Sequence, residues 1–174
     1  MRSLFSTTAF VLASAVGVSA LTACAGFEPM HGTAENRTAF SDMSVDVSNG
    51  SDENDRLVGF LIRQRLADRI SPNSKPKYRL MITPGASRVG IGLTGQDFAT
   101  RFDSVVTANW QLVRQSDGER VASGRARSVA TYSADRDPFQ LQTTTDQAME
   151  RASRIVADEL LTQVALELAE TKDP

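Results

Sequence analysis

Ala148, Ala152, Val156, Leu160, Val164 and Leu168 recur every four residues near the end of the chain. That interval keeps successive side chains on one side of an α-helix. A helix predicted from Thr144 to Ala169 therefore carries a long apolar ridge, which Ile155 and Leu161 would widen. Thr144 and Gln147 have the spacing of a capping box at its start. Such a ridge needs a surface that a helix can approach closely. In "RVASGRARSVATYS" the even positions are Ala122, Gly124, Ala126, Ser128 and Ala130. In a strand these small residues share one side, and Arg125 and Arg127 point to the other.

The remaining elements follow from the same two periods. "MSVDVS" places Met43, Val45 and Val47 on one side of a short strand. After Asn49-Gly50, Ser51 is a candidate cap, and Asp52, Glu53 and Asp55 suit the positive end of a helix. Their spacing lacks the alternating ligands and closing Glu of a calcium loop. The first helix is expected from about Asp52 to Ile70, with a stripe of Val58, Leu61, Ile62, Leu66 and Ile70. "SPNSKP" ends it. "YRLMIT" reads as a strand that "RVGIGL" either resumes or extends. "RFDSVVTANWQLVRQ" puts Phe102, Val106, Ala108, Trp110 and Leu112 on one side, and Asp117-Gly118 signals a hairpin turn. The order is β-α-β-β-β-α. It predicts an α+β two-layer sandwich: a four-stranded, mostly antiparallel sheet with two helices on one face. The other face must meet water or a partner.

The N-terminus has a different character. Arg2 precedes an uncharged run from Ala9 to Ala23, ending in "LTAC". A basic start, an apolar middle and small residues before a cleavage point describe an export signal over residues 1–23. The run is too short and too rich in Ala and Ser for a good membrane span. Leu21-Thr22-Ala23-Cys24 resembles a bacterial lipobox, in which the thiol takes up diacylglycerol and becomes the first residue of the mature chain. Cys24 is the one cysteine in 174 residues. Lipidation gives it a role where an unpaired thiol in an exported protein otherwise has none. Residues 24–40 then read as a lipidated tether, and 41–174 as a single domain. Ala25, where inner-membrane retention commonly uses Asp, points to the outer membrane.

Several chemistries are disfavoured. The net charge of −2 carries no general nucleic-acid signature. His31 is the sole histidine and falls in the tether, so no Ser-His-acid triad can be assembled. "GIGLTG" at Gly90 to Gly95 matches GxGxxG, yet strand-like sequence rather than a helix follows it. It reads as the glycine-rich end of a hairpin. Asp135 and Asp137 stand before Pro138, where a loop role is favoured over a carboxylate pair. The residues suggest no enzyme, no metal and no cofactor beyond the covalent lipid on Cys24.

"CAGFEPMHG" resembles the mature N-terminus of the LPS-assembly lipoprotein LptE family, alphaproteobacterial type, which begins Cys-Gly-Phe-x-Pro-Leu-Tyr-Gly. Gly26, Phe27 and Pro29 keep the frame, while Ala25 is an extra residue and Met30-His31 replaces Leu-Tyr. The long hairpin "ANWQLVRQSDGERVASGRARSVATYS" and the closing "RIVADELLTQVALEL" are similar to such members as well. The resemblance implies an outer-membrane lipoprotein, anchored on the periplasmic side. It would plug the lumen of the LptD β-barrel, help that barrel fold, and assist delivery of lipopolysaccharide. It also implies lipopolysaccharide contact through basic residues. Arg88 and Arg101, which flank the glycine-rich segment, and Arg125 and Arg127, with Arg79 nearby, are the candidates. The alternative is a lipid-handling accessory lipoprotein of an ABC-type transport system.

Overall fold

The computed structural model describes residues 40–93, 99–133 and 137–171. All lie within one compact unit, Arg37–Pro174. The proposed signal of residues 1–23, Cys24, the tether as far as residue 39, Thr94, Gly95 and Asp135 lie outside the described residues.

The elements are β1 (Met43–Val47), α1 (Glu53–Ala67), β2 (Tyr78–Leu93), β3 (Ala99–Arg114), β4 (Arg120–Ser133) and α2 (Pro138–Thr171). They form a four-stranded sheet in the order β1-β2-β3-β4. β1 runs parallel to β2, and the other two pairs are antiparallel. Both helices pack on one face, giving the expected α+β sandwich.

Parity decides what each strand buries. On β3, Ser104, Val106, Ala108, Trp110 and Leu112 are buried, together with Leu80 and Ile82 of β2 and Ala126 of β4. Their register neighbours connect them across the sheet: Leu80 faces Leu112, and Ala108 faces Ala126. From α1 come Val58, Ile62 and Leu66, and from α2 Ala152, Val156, Leu160, Val164 and Leu168. Each large apolar side chain so buried contributes about 1.5–3 kcal/mol. Small residues on β4 do what their size suggested. A Cβ on Gly124 would stand 2.7 Å from Cζ2 of Trp110. The indole lies where only a hydrogen leaves room. Its Nε1 donates to Gln163 Oε1 of α2 at 2.8 Å, so the ring's polar edge is satisfied.

Several local expectations need correction. Asp52, not Ser51, caps α1: its Oδ1 accepts from Asp55 N at 2.8 Å. α2 begins at Pro138, six residues before Thr144. Asp137 caps it through Phe139 N at 2.9 Å, and a proline in the first turn has no N–H to lose. Thr144 lies inside the helix and returns its hydroxyl to Gln140 O at 2.9 Å. Ile155 does not widen the buried ridge and is 54% exposed. Leu161 widens it as expected, joined by Ser153 and Ala157, because the adjacent helix α1 lies on their side. Arg65 of α1 meets Asp158 there through two hydrogen bonds, at 3.0 and 3.1 Å. Between β3 and β4, Gly118 has a φ of +73°, a conformation that glycine takes without strain, and its N–H closes the turn on Arg114 O at 2.9 Å.

β2 is continuous through Pro84-Gly85, which leaves a long stretch without β1 beside it. The chain closes that stretch with side chains. Even-numbered backbone groups of β2 point toward β1, as Ser48 N donating to Ile82 O shows. Pro84 shares that parity and offers no donor. Ala86 N donates to Asp55 Oδ1 at 2.7 Å. Asp55 is buried, and its other oxygen accepts from Ser51 Oγ at 2.6 Å and Ser51 N at 3.0 Å. The Ser51 hydroxyl foremost, then the Ala86 and Ser51 amides, hold its carboxyl below the ordinary aspartate value. A single carboxylate thus fastens the start of α1 to the edge of β2.

Candidate functional site: the bare sheet face

The face opposite the helices carries the odd positions of β2, β3 and β4. Its side chains include Arg79, Thr83, Arg101, Thr107, Asn109, Gln111, Arg125 and Arg127. Valines 89, 105 and 129 cross the end nearer the β2–β3 hairpin. Arg125 and Arg127 are exposed, as the alternation required. They stand two residues apart, roughly 7 Å along the strand. Arg127 neighbours Thr107, and Arg125 neighbours Asn109, so no carboxylate lies directly across from either. Asp103, on the same face, is engaged by the Thr131 hydroxyl at 2.6 Å.

The sequence candidates do not converge on one point. Arg101 pairs with Ser133 and lies on the bare face, but six residues, roughly 20 Å, from Arg127's partner Thr107. Arg88 lies on the other face. The continuity of β2 gives it the parity of Leu80 and Ile82, which face the helices. Its guanidinium carbon sits 3.8 Å from the centre of the Phe102 ring, and Phe102 stacks on Tyr132 at 5.8 Å. Arg88 borders a cleft of about 250 Å³ between the β2 strand and the first turns of α2, where Leu141, Gln142, Asp146 and Met149 also line the wall. A shallow depression of about 280 Å³ marks the bare face, floored by Thr83, Asn109, Gln111 and Ser123. The glycine run belongs to a hairpin: Gly90 and Gly92 are in β2, with register shifts against β3, and β3 follows rather than a helix.

One connection was not visible in the sequence. Gln163 takes the Trp110 N–H with its oxygen and donates its Nε2 to Arg125 O at 3.2 Å. It joins α2 to the outer strand beside the two arginines. Gln163 falls just off the apolar ridge, which was the available signal. Among the described residues no helix is long and apolar enough to cross a membrane, and no three His, Cys, Asp or Glu side chains are placed to hold a metal ion.

No protein-family model and no curated protein matches the chain. Solved structures do. A protein assigned as a lipoprotein in Caulobacter crescentus is similar with a TM-score of 0.61 at 23% identity, over 81% of this chain and 99% of that one. Rare lipoprotein B from Shewanella oneidensis is similar with a TM-score of 0.58 at 14% identity, over 75% and 98%. An uncharacterized lipoprotein B from Nitrosomonas europaea gives 0.54 at 10% identity, over 74% and 88%. The two-layer arrangement found here is therefore a fold that occurs in bacterial lipoproteins.

Proposed function

We propose that this chain is an outer-membrane lipoprotein of the LptE type, attached through lipid on Cys24, that occupies the lumen of the LptD β-barrel and assists lipopolysaccharide delivery. It acts as a plug and folding partner and is not an enzyme. The observation that carries this reading is the bare sheet face. The part of that face formed by Arg79, Thr83, Asn109, Gln111, Arg125 and Arg127 is polar and basic and suits the polar interior of a barrel, while Met81, Val89 and Val129 leave exposed apolar surface beside it. Arginine also suits bidentate phosphate contact, which gives the same face a means of meeting lipopolysaccharide. The lipobox at Leu21 to Cys24 and a fold shared with bacterial lipoproteins support the anchoring.

Two expectations follow. Cys24→Ala abolishes incorporation of a radiolabelled fatty acid and leaves the precursor uncleaved; undiminished labelling removes the lipoprotein reading. The double change Arg125→Glu, Arg127→Glu replaces exposed side chains, so it shifts stability by less than about 0.5 kcal/mol per site. In cells it lowers recovery of the barrel complex or sensitises the outer membrane to large hydrophobic antibiotics. Loss of co-purifying barrel indicates the interface, whereas an intact complex with weakened lipopolysaccharide binding indicates a ligand site. Normal complex, binding and permeability would show that the face is merely solvated.

A further inference from the structure

The two sheet edges are treated differently. Past Ile82, where β1 ends, β2 is closed as far as Ala86, by Pro84, which has no N–H, and by Asp55, which takes the Ala86 N–H. The β4 edge runs for 14 residues. Gln163 donating to Arg125 O shows that the odd-numbered backbone groups of β4 point outward. That bond is the one side-chain cap seen on this edge among the described residues. The outward N–H and C=O groups of Arg127, Val129 and Thr131 form a ladder that only another extended backbone can match.

Its flanks describe the partner. On the bare face Arg125 and Arg127 are exposed, and their nearest cross-strand neighbours are Asn109 and Thr107. On the helix side, Ile155, Glu159 and Gln163 follow at intervals of four along α2, so they share one shoulder. Gln163 reaches the β4 edge, and Ile155 stands two turns, about 12 Å, toward the start of the helix. The start of α2 lies beside Ala86 and Arg88, which are level with Ser128 and Ala130 across the sheet, so the helix runs from Gln163 toward that level with Ile155 in between, while the Val129 side chain is on the bare face. Ile155 is 54% exposed and Val129 38%.

We propose that the β4 edge binds an extended acidic segment of another polypeptide, added as a fifth strand with carboxylates beside Arg125 and Arg127 and apolar residues beneath Ile155. A second copy of this chain fits less well, because β4 brings arginines and no acid to the ladder. The inference goes beyond the plug reading and does not depend on it.

The test uses the full lipidated chain in detergent and a fluorescent peptide about ten residues long, an ordinary strand length, alternating aspartate and valine. The peptide is expected to bind and to slow amide exchange over residues 125–133. A lysine–valine peptide should bind at least about tenfold more weakly, as should the aspartate peptide N-methylated at its ladder-facing amides. Val129→Pro removes an outward N–H on an edge strand, where proline is tolerated, and should weaken binding by a similar factor at an unchanged melting temperature. Four results would overturn the proposal: no binding of the aspartate peptide, equal binding of the lysine peptide, equal binding of the N-methylated peptide, or a dimer of the protein that Val129→Pro dissociates. The N-methylated peptide decides the matter even if the proline variant fails to fold.

Discussion

Leu160→Asp is expected to abolish the cooperative unfolding transition of this domain. Leu160 is fully buried at the middle of the α2 ridge, within the cluster that joins both helices to the sheet. Removing a buried leucine side chain alone costs about 2–5 kcal/mol. A carboxylate in its place meets no buried cation among the described residues, and either its desolvation or its protonation adds several kcal/mol. The sum rivals the whole stability of an ordinary domain, about 5–15 kcal/mol. Leu166→Asp is the control. It lies on the same helix but is 53% exposed, and the change should alter stability by only about 0.5 kcal/mol. Thermal melting followed by circular dichroism distinguishes the two. A wild-type melting temperature for Leu160→Asp would mean that the helix packs through another face.

The second large effect is expected at Asp55. Asp55→Ala strands the Ala86 and Ser51 amides and the Ser51 hydroxyl without their acceptor. Ser51 is exposed, so water can take up its donors, and with the half-buried Ala86 amide left unpaired the variant should lose about 1–3 kcal/mol in denaturant unfolding. The loss carries a pH signature. Hydrogen bonds hold the folded carboxyl below its ordinary value, so the unfolded chain binds the proton more tightly. Asp55 therefore stabilises fully above about pH 4, the unfolded value, and its contribution fades as pH falls through the lower folded one. The gap between wild type and Asp55→Ala should be flat at neutral pH and should narrow in acid. A gap that stays constant from neutral pH to about pH 2 would exclude the carboxylate as its source.

Much of this architecture was legible because it is written in local periods. A spacing of four placed Val156, Leu160 and Val164 inward, and alternation placed Trp110 and Ala126 on the helix side and Arg125 and Arg127 on the other. What escaped was either unpatterned or distant. The first turns of α2, Pro138 to Thr143, reach past the core, and apart from the half-buried Leu141 their side chains are exposed, so no apolar ridge announces them. Asp137-Pro138 was the signal, a cap followed by a residue suited to the first helical turn. Ile155 satisfies the ridge arithmetic but falls on the shoulder away from α1. Arg88 could be assigned to a face only if β2 ran unbroken through Pro84-Gly85, and there proline usually suggests a break. The role of Asp55 depends on Ala86, 31 residues away, and no local rule reaches that far.

The charged face matters to function only if something charged or polar lies against it. The arginines are spread over roughly 20 Å of sheet rather than gathered at one phosphate-sized point, which favours an extended polar wall over a single small ligand. The Arg88 cleft, on the opposite face, belongs to neither arrangement.

The most direct measurement is purification of the full chain from detergent-extracted cell membranes, with the co-purifying protein identified by mass spectrometry. The account predicts one large β-barrel of the LptD kind in near-equal amount, retained through washes that remove loosely bound membrane proteins. Recovery of the chain alone, or with the components of an ABC-type transporter and no barrel, would contradict it.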